Sequence, residues 1–171
     1  TVPVGHDFSI DPATYPARNG GIIIPNPNAP TGMLMSLDAI RTLLCKSADS
    51  AVVIDEAYID FGGESAVQLI GEFDNLLVVQ TLSKSRALAG LRVGFAMGSS
   101  ILIEALGRVK NSFNSYPLDV LAQRAALASI EDEDYFRTSC QRLINSRDTL
   151  CSAMAALGFT VLPSGANFIF A

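Results

Sequence analysis

The sequence predicts an α/β fold, and three observations carry that prediction. Four short apolar runs punctuate the first hundred residues: Gly21 to Pro25 (GIIIP), Ala51 to Asp55 (AVVID), Leu76 to Gln80 (LLVVQ) and Val93 to Gly98 (VGFAMG). They are rich in β-branched residues and lack polar alternation, which suits strands of a parallel sheet buried on both faces. Between the first two lies a helical pattern, with Ser36 as N-cap and Leu37, Ile40, Leu43 and Leu44 along one face. Strand, helix, strand in that order is the signature of an α/β unit.

The second half reads as helical. Pro117 suits the first turn of a helix whose inner face would hold Leu118, Leu121, Ala125 and Ala126. A longer pattern follows, in which Phe136, Cys140, Leu143, Leu150, Met154 and Leu157 recur at helical spacings. Arg147 is the one polar residue on that face, and Gly158 is placed to stop the helix. Beyond it, residues 159–162 (FTVL) and 167–171 (NFIFA) read as two strands around a Pro-Ser-Gly turn. Because the chain ends inside an apolar strand pattern, it is expected to be part of a longer protein.

Composition narrows the function classes. A length of 171 residues allows one domain with a substantial core, and 49% apolar content leaves little that looks disordered. A net charge of -5 with scattered basic residues argues against a nucleic-acid surface. No run approaches the ~20 apolar residues of a membrane span, so no membrane partner is expected. The first residues, TVPVGHDFSID, have neither the basic start nor the apolar stretch of a signal peptide, and a soluble cytoplasmic protein is expected. The three cysteines, Cys45, Cys140 and Cys151, lack metal-ligand spacing and read as small buried thiols in a reducing compartment. A single histidine, His6, leaves no basis for a zinc site or a Ser–His–Asp triad within this chain, and no metal is expected.

Three segments, each directly after an expected strand, carry the candidate chemistry. Open α/β sheets bind ligands at the carboxyl ends of their strands. The first segment, 26–32 (NPNAPTG), specifies a tight turn and by itself is only a loop. The second begins at Asp55 and reads DEAY. A carboxylate closing a buried strand needs a positive partner. An ion pair would supply one; a nucleotide hydrolase is the rival reading, although no G-x-x-x-x-G-K-[ST] loop is present. The third runs from Thr81 to Gly94, TLSKSRALAGLRVG. Lys84, flanked by hydroxyls in an apolar neighbourhood, is a candidate amine nucleophile toward an aldehyde. Thr81, Ser83 and Arg92 could donate to a phosphate, where the guanidinium fork is effective. Taken singly, each of these residues has an ordinary reading as an exposed lysine, a loop hydroxyl or a paired arginine.

Together and in order, NPNAPTG, DEAY and TLSK with Arg92 resemble the fold type I pyridoxal-phosphate aminotransferases over essentially the whole chain. VVIDEAYIDF, TLSKSRALAGLRVGF and the opening DFSIDP are most similar to the histidinol-phosphate branch. The resemblance implies a three-layer α/β/α large domain with a mostly parallel sheet, here incomplete. Its four strands would lie side by side, with VGFAMG antiparallel at one end. Residues 1–145 would belong to this cofactor-binding domain. Residues 146–171 would be the end of a linking helix and the first strands of a small α+β domain.

The resemblance also implies roles. Lys84 would hold pyridoxal 5'-phosphate as a Schiff base and move the proton between the substrate α-carbon and the cofactor. Asp55 would pair with the protonated ring nitrogen. Tyr58 would hydrogen-bond the ring's phenolic oxygen, Ala57 would allow close approach to one face, and Thr81, Ser83 and Arg92 would hold the phosphate. The family's usual asparagine before Pro-Thr-Gly is Ala29 here, and Asn28 would substitute. The implied reaction is amino transfer between histidinol phosphate and 2-oxoglutarate in histidine biosynthesis, by a homodimer. A threonine-phosphate decarboxylase, an aromatic aminotransferase and a non-catalytic regulatory module of the same fold share these motifs. In the family, a glycine-containing turn, a ring-stacking aromatic and a carboxylate-binding arginine come from segments that have no counterpart here. This chain alone is therefore expected not to transaminate.

Overall fold

The computed structural model describes residues 1–114 and 116–171. All four expected strands form: β1 (Ile22–Pro25), β2 (Val52–Asp55), β3 (Leu76–Thr81) and β4 (Gly94–Gly98). They make one sheet in the order β1-β2-β3-β4. The first three are parallel, with Pro25 opposite Asp55 and Asp55 opposite Val79, and β4 runs antiparallel to β3. The α/β class is borne out, with the antiparallel strand at the end where the resemblance put it.

The connection from β1 to β2 is α1 (Leu37–Lys46). Ser36 caps it by accepting from the Ala39 amide, and Ile40, Leu43 and Leu44 are fully buried. These side chains meet Ile22, Ile24, Val52, Ile54, Leu76 and Val78 in the main core, closed at one end by Ala66 and Leu69 of the 3-10 turn Ala66–Leu69. Two-sided burial fails at Ile23, which is 75% exposed. The reason is its face: Ile22 and Ile24 of the same strand pack with the α1 side chains, whereas Ile23 alternates to the opposite face, outside that core.

The helical half differs from expectation in three respects. A helix not singled out in the sequence, α2 (Ser100–Phe113), follows β4 and packs against it without burying a side chain. Pro117 lies outside the next helix, α3 (Val120–Glu131), because Asp119 caps it by accepting from the Ala122 amide. With that start, Ala122 and Ala126 form the buried face against Leu82 and Val93, while Leu118 and Leu121 are exposed and Ala125 is half-buried. Burial here follows small residues that let the helix approach, not the largest ones.

The long helix α4 (Glu133–Ala156) forms as expected. Gly158 adopts a φ of 90°, the left-handed turn that ends a helix. The two strands expected after it do not form. Residues 159–171 are irregular, and one backbone hydrogen bond, from the Leu162 amide to the Phe170 carbonyl at 2.9 Å, joins the two segments. A two-stranded ribbon without further partners is marginal. Among the described residues, no helix is long and apolar enough to cross a membrane.

Candidate active site

Parallel pairing brings the three motifs to one edge of the sheet. The Asn26 amide donates to the Asp55 carbonyl at 2.8 Å, and the Glu56 amide donates to the Val79 carbonyl at 2.8 Å. The loops after β1, β2 and β3 therefore leave the sheet side by side, on the ligand-binding edge of an α/β fold.

The loop after β1 is rigid. Asn26 is 1% exposed; its Oδ1 accepts from the Met35 amide at 2.8 Å and its Nδ2 donates to the Met35 carbonyl. Gly32, at a φ of 78°, packs so closely that a Cβ would lie 2.4 Å from Ser164 Oγ. Its carbonyl accepts from the Gly165 amide at 2.8 Å. Asn28 spends its side-chain amide on the Thr31 hydroxyl at 2.8 Å, and Ala29 is exposed.

After β2, Asp55 Oδ1 accepts from the Ala57 amide at 3.0 Å, which curls the chain into the turn carrying Tyr58. Among the described residues, no Lys or Arg pairs with Asp55. Its neighbour Glu56 is the residue that sequence reasoning missed. It is 2% exposed and accepts from Ser65 Oγ (2.7 Å), the Ala66 amide (2.6 Å) and Gln80 Nε2 (2.8 Å). Glu56 thus ties the DEAY turn to the end of β3 and to the following 3-10 turn. The only signal in the sequence was a second acid beside Asp55.

After β3, Thr81 and Ser83 form a hydroxyl pair. Thr81 Oγ1 lies 2.9 Å from Ser83 Oγ and accepts from the Ser83 amide at 3.1 Å. Lys84 is exposed, unlike the desolvated lysine expected, and its Nζ stands 5.0 Å from the centroid of the Tyr58 ring. Buried Ser85 holds the two loops together by donating to Asp60 Oδ2. Arg86 anchors the same loop from behind. It donates to the Ser129 carbonyl, lies 3.8 Å from the Phe136 ring centre and pairs with Glu133 at 3.4 Å. The Arg137 guanidinium, hydrogen-bonded to Glu133, and then Arg86 hold that carboxyl below the usual glutamate range.

Arg92 adjoins the site only through its chain neighbour Val93. The Val93 carbonyl lies 3.2 Å from Thr81 Oγ1, whereas the Arg92 guanidinium donates to the Ala89 carbonyl at 2.9 Å. Both Ala87 and Arg92 have a φ of 55°. Left-handed geometry at a residue with a side chain costs about 1 kcal/mol or more and concentrates at functional sites.

The structure therefore gathers Asp55, Ala57, Tyr58, Thr81, Ser83 and Lys84 at one sheet edge, with the Arg92 guanidinium turned to the Ala89 carbonyl and Asn28 turned into its own loop. A mixed α/β sheet with this group of side chains at its carboxyl edge has the layout of a ligand-binding α/β domain. The chain belongs to the class I and II aminotransferases, whose sequence model matches residues 7–171. It is 63% identical over 171 residues to histidinol-phosphate aminotransferase 2 of Dechloromonas aromatica, covering 99% of this chain and 48% of that protein. It is 62% identical over 170 residues to histidinol-phosphate aminotransferase 1 of Hydrogenovibrio crunogenus, with the same coverage. The chain spans about half the length of the curated relatives it matches. Its fold superposes on histidinol-phosphate aminotransferase from Sinorhizobium meliloti in complex with pyridoxal-5'-phosphate with a TM-score of 0.87. The two are 24% identical, and the match covers 99% of this chain and 47% of that one.

Proposed function

We propose that this chain carries the cofactor-holding centre of a pyridoxal-phosphate enzyme that transfers the amino group of histidinol phosphate to 2-oxoglutarate. The observation that carries the reading is the placement of Lys84 Nζ beside the Tyr58 ring, at the strand edge where Asp55 has no basic side-chain partner among the described residues. That donor set fits the cofactor: a primary amine, a carboxylate, a phenol and two adjacent hydroxyls. When bound, pyridoxal phosphate supplies an electron sink for the carbanion formed at the substrate α-carbon.

Each side chain then has a physical task. Lys84 would hold the cofactor through its amine and would be the base that moves a proton at the substrate α-carbon. Asp55 would favour a protonated ring nitrogen by supplying the negative charge beside it. Tyr58 would donate its phenol hydrogen to the ring oxygen, and Ala57, with its small side chain, would leave space beside the ring. Thr81 and Ser83 would donate hydroxyl hydrogens to the phosphate, and Arg92 would be the charged third donor on turning its guanidinium from the Ala89 carbonyl. Asn28 is the polar group nearest in sequence to the position that Ala29 leaves apolar.

Residues 1–145 contribute to the cofactor domain and 146–171 open a second one, a division that falls inside α4. A homodimer in the cytoplasm is the proposed working form. The substrate assignment draws on the histidinol-phosphate aminotransferases that are 62–63% identical to this chain. It is tested by incubating the whole protein with 2-oxoglutarate and histidinol phosphate, aspartate or phenylalanine as donor. Glutamate should form fastest from histidinol phosphate; a preference for aspartate or phenylalanine would reassign the substrate.

A further inference from the structure

We propose that Arg147 is a positioning residue that clamps segment 164–168 onto the Tyr58 turn and so sets the orientation of Tyr58 relative to Lys84. The inference rests on the reading of the site given above and adds to it a residue from the long helix. Arg147 sits on α4 at a spacing otherwise occupied by apolar side chains, and its side chain is 10% exposed. Its guanidinium bridges two remote stretches of backbone. Nη1 donates to the Phe61 carbonyl and to the Ala166 carbonyl, each at 2.9 Å, while Nε donates to Asp148 Oδ1 at 2.9 Å.

Both carbonyls are close to the site. Phe61 belongs to the 3-10 turn Ile59–Phe61, and its amide donates to the Tyr58 carbonyl at 3.1 Å. Ala166 is fully buried and precedes Phe168, whose ring meets the Tyr58 ring edge-on with centroids 5.1 Å apart. The Tyr58 ring is thus held between Phe168 on one side and the Lys84 ammonium on another. One guanidinium fixes the backbones that carry two members of this set: Nη1 reaches both carbonyls while Nε, held on Asp148, sets the plane of the group. The Gly165 amide bonded to the Gly32 carbonyl ties the same segment to the loop after β1.

The test uses the whole protein with pyridoxal phosphate, read by the pH midpoint of the absorbance change of the lysine-bound cofactor. Tyr58→Phe removes the phenol and moves this midpoint. Arg147→Met should move it in the same direction by about one pH unit, a tenfold change in the proton equilibrium. In the double variant the midpoint should stay at the Tyr58→Phe value, because both changes act through one phenol. Arg147→Lys keeps the charge but not the fork, and should give a smaller shift that also vanishes in the Tyr58→Phe background. This variant carries the test if Arg147→Met does not fold. An unchanged midpoint in the Arg147 variants, or shifts that add in the double variant, would overturn the proposal.

Amide hydrogen exchange of the cofactor-free protein separates this inference from the reading of the site. Exchange at Ile59–Gly63 and at Gly165–Phe168 should rise together in both Arg147 variants, while that of β2 stays unchanged. Absence of any lysine-bound absorbance in the unmodified protein would contradict the cofactor reading. Unchanged exchange at both segments would contradict the clamp.

Discussion

Lys84 Nζ stands 5.0 Å from the centre of the Tyr58 ring although the two residues lie on loops leaving different strands. Two neighbouring contacts explain the approach. Ser85 donates to Asp60 across the gap between the loops, and Glu56 binds Gln80 at the base of both. Neither pair belongs to the side chains proposed to hold the cofactor, yet both fix where the amine and the phenol sit.

Glu56→Ala should therefore destabilise the protein more than a typical surface change. It would leave the Ala66 amide and the Gln80 side chain without their acceptor in a buried region. Each unsatisfied group costs about 1–3 kcal/mol. Thermal or urea unfolding should report a loss within that range or above it; a change under about 0.5 kcal/mol, typical of surface substitutions, would mean that Glu56 is not a structural tie.

Asp55→Asn should have the opposite profile. Asparagine keeps an oxygen that can accept from the Ala57 amide, so the turn should survive. The lost charge should slow the chemical step by ~10²–10³-fold in kcat, the scale for removing one preorganised group from a site. Stopped-flow single-turnover rates and an unfolding curve on the same sample separate the two effects. A near-normal kcat would reduce Asp55 to a cap for its own turn.

Much of this was legible in the sequence, and the reason is local. The strands announced themselves by β-branched runs, α1 by Ser36 and its apolar face, and the end of α4 by Gly158. The site motifs were legible because each follows a strand directly. What was not legible depends on tertiary partners. The burial of Glu56 needs Ser65, Ala66 and Gln80 to converge on it. Of the inner face expected for α3, Ala126 is buried but Leu118 and Leu121 are not, because the sequence does not tell how closely the helix approaches Leu82 and Val93. Residues 159–162 and 167–171 have strand composition, but ladders need partners and these segments share one hydrogen bond. Arg147 was visible only as a polar residue out of pattern, and its two carbonyl partners lie far away in sequence.

The cysteines give a pH-dependent prediction and a correction. Cys45 is exposed, not buried, Cys151 is intermediate and Cys140 is buried. Burial, and then the Asp60 carboxylate nearby, push the Cys140 thiol above its ordinary range. A raised value means that the Cys140 thiolate forms only at higher pH, so its alkylation rate should stay low through neutral pH and climb only in alkaline solution. Iodoacetamide labelling followed by peptide mass spectrometry should find Cys45 modified first across pH 7–9. Equal rates in the folded protein would contradict the burial of Cys140, and equal rates after unfolding in urea are expected.

The most direct test of the central claim is chemical trapping at Lys84. The whole protein is incubated with pyridoxal phosphate, reduced with borohydride, digested and sequenced by mass spectrometry. The account predicts one dominant adduct, on the peptide containing Lys84, and its loss in Lys84→Ala. Reduction that fixed the cofactor on Lys46 or Lys110 instead would contradict it.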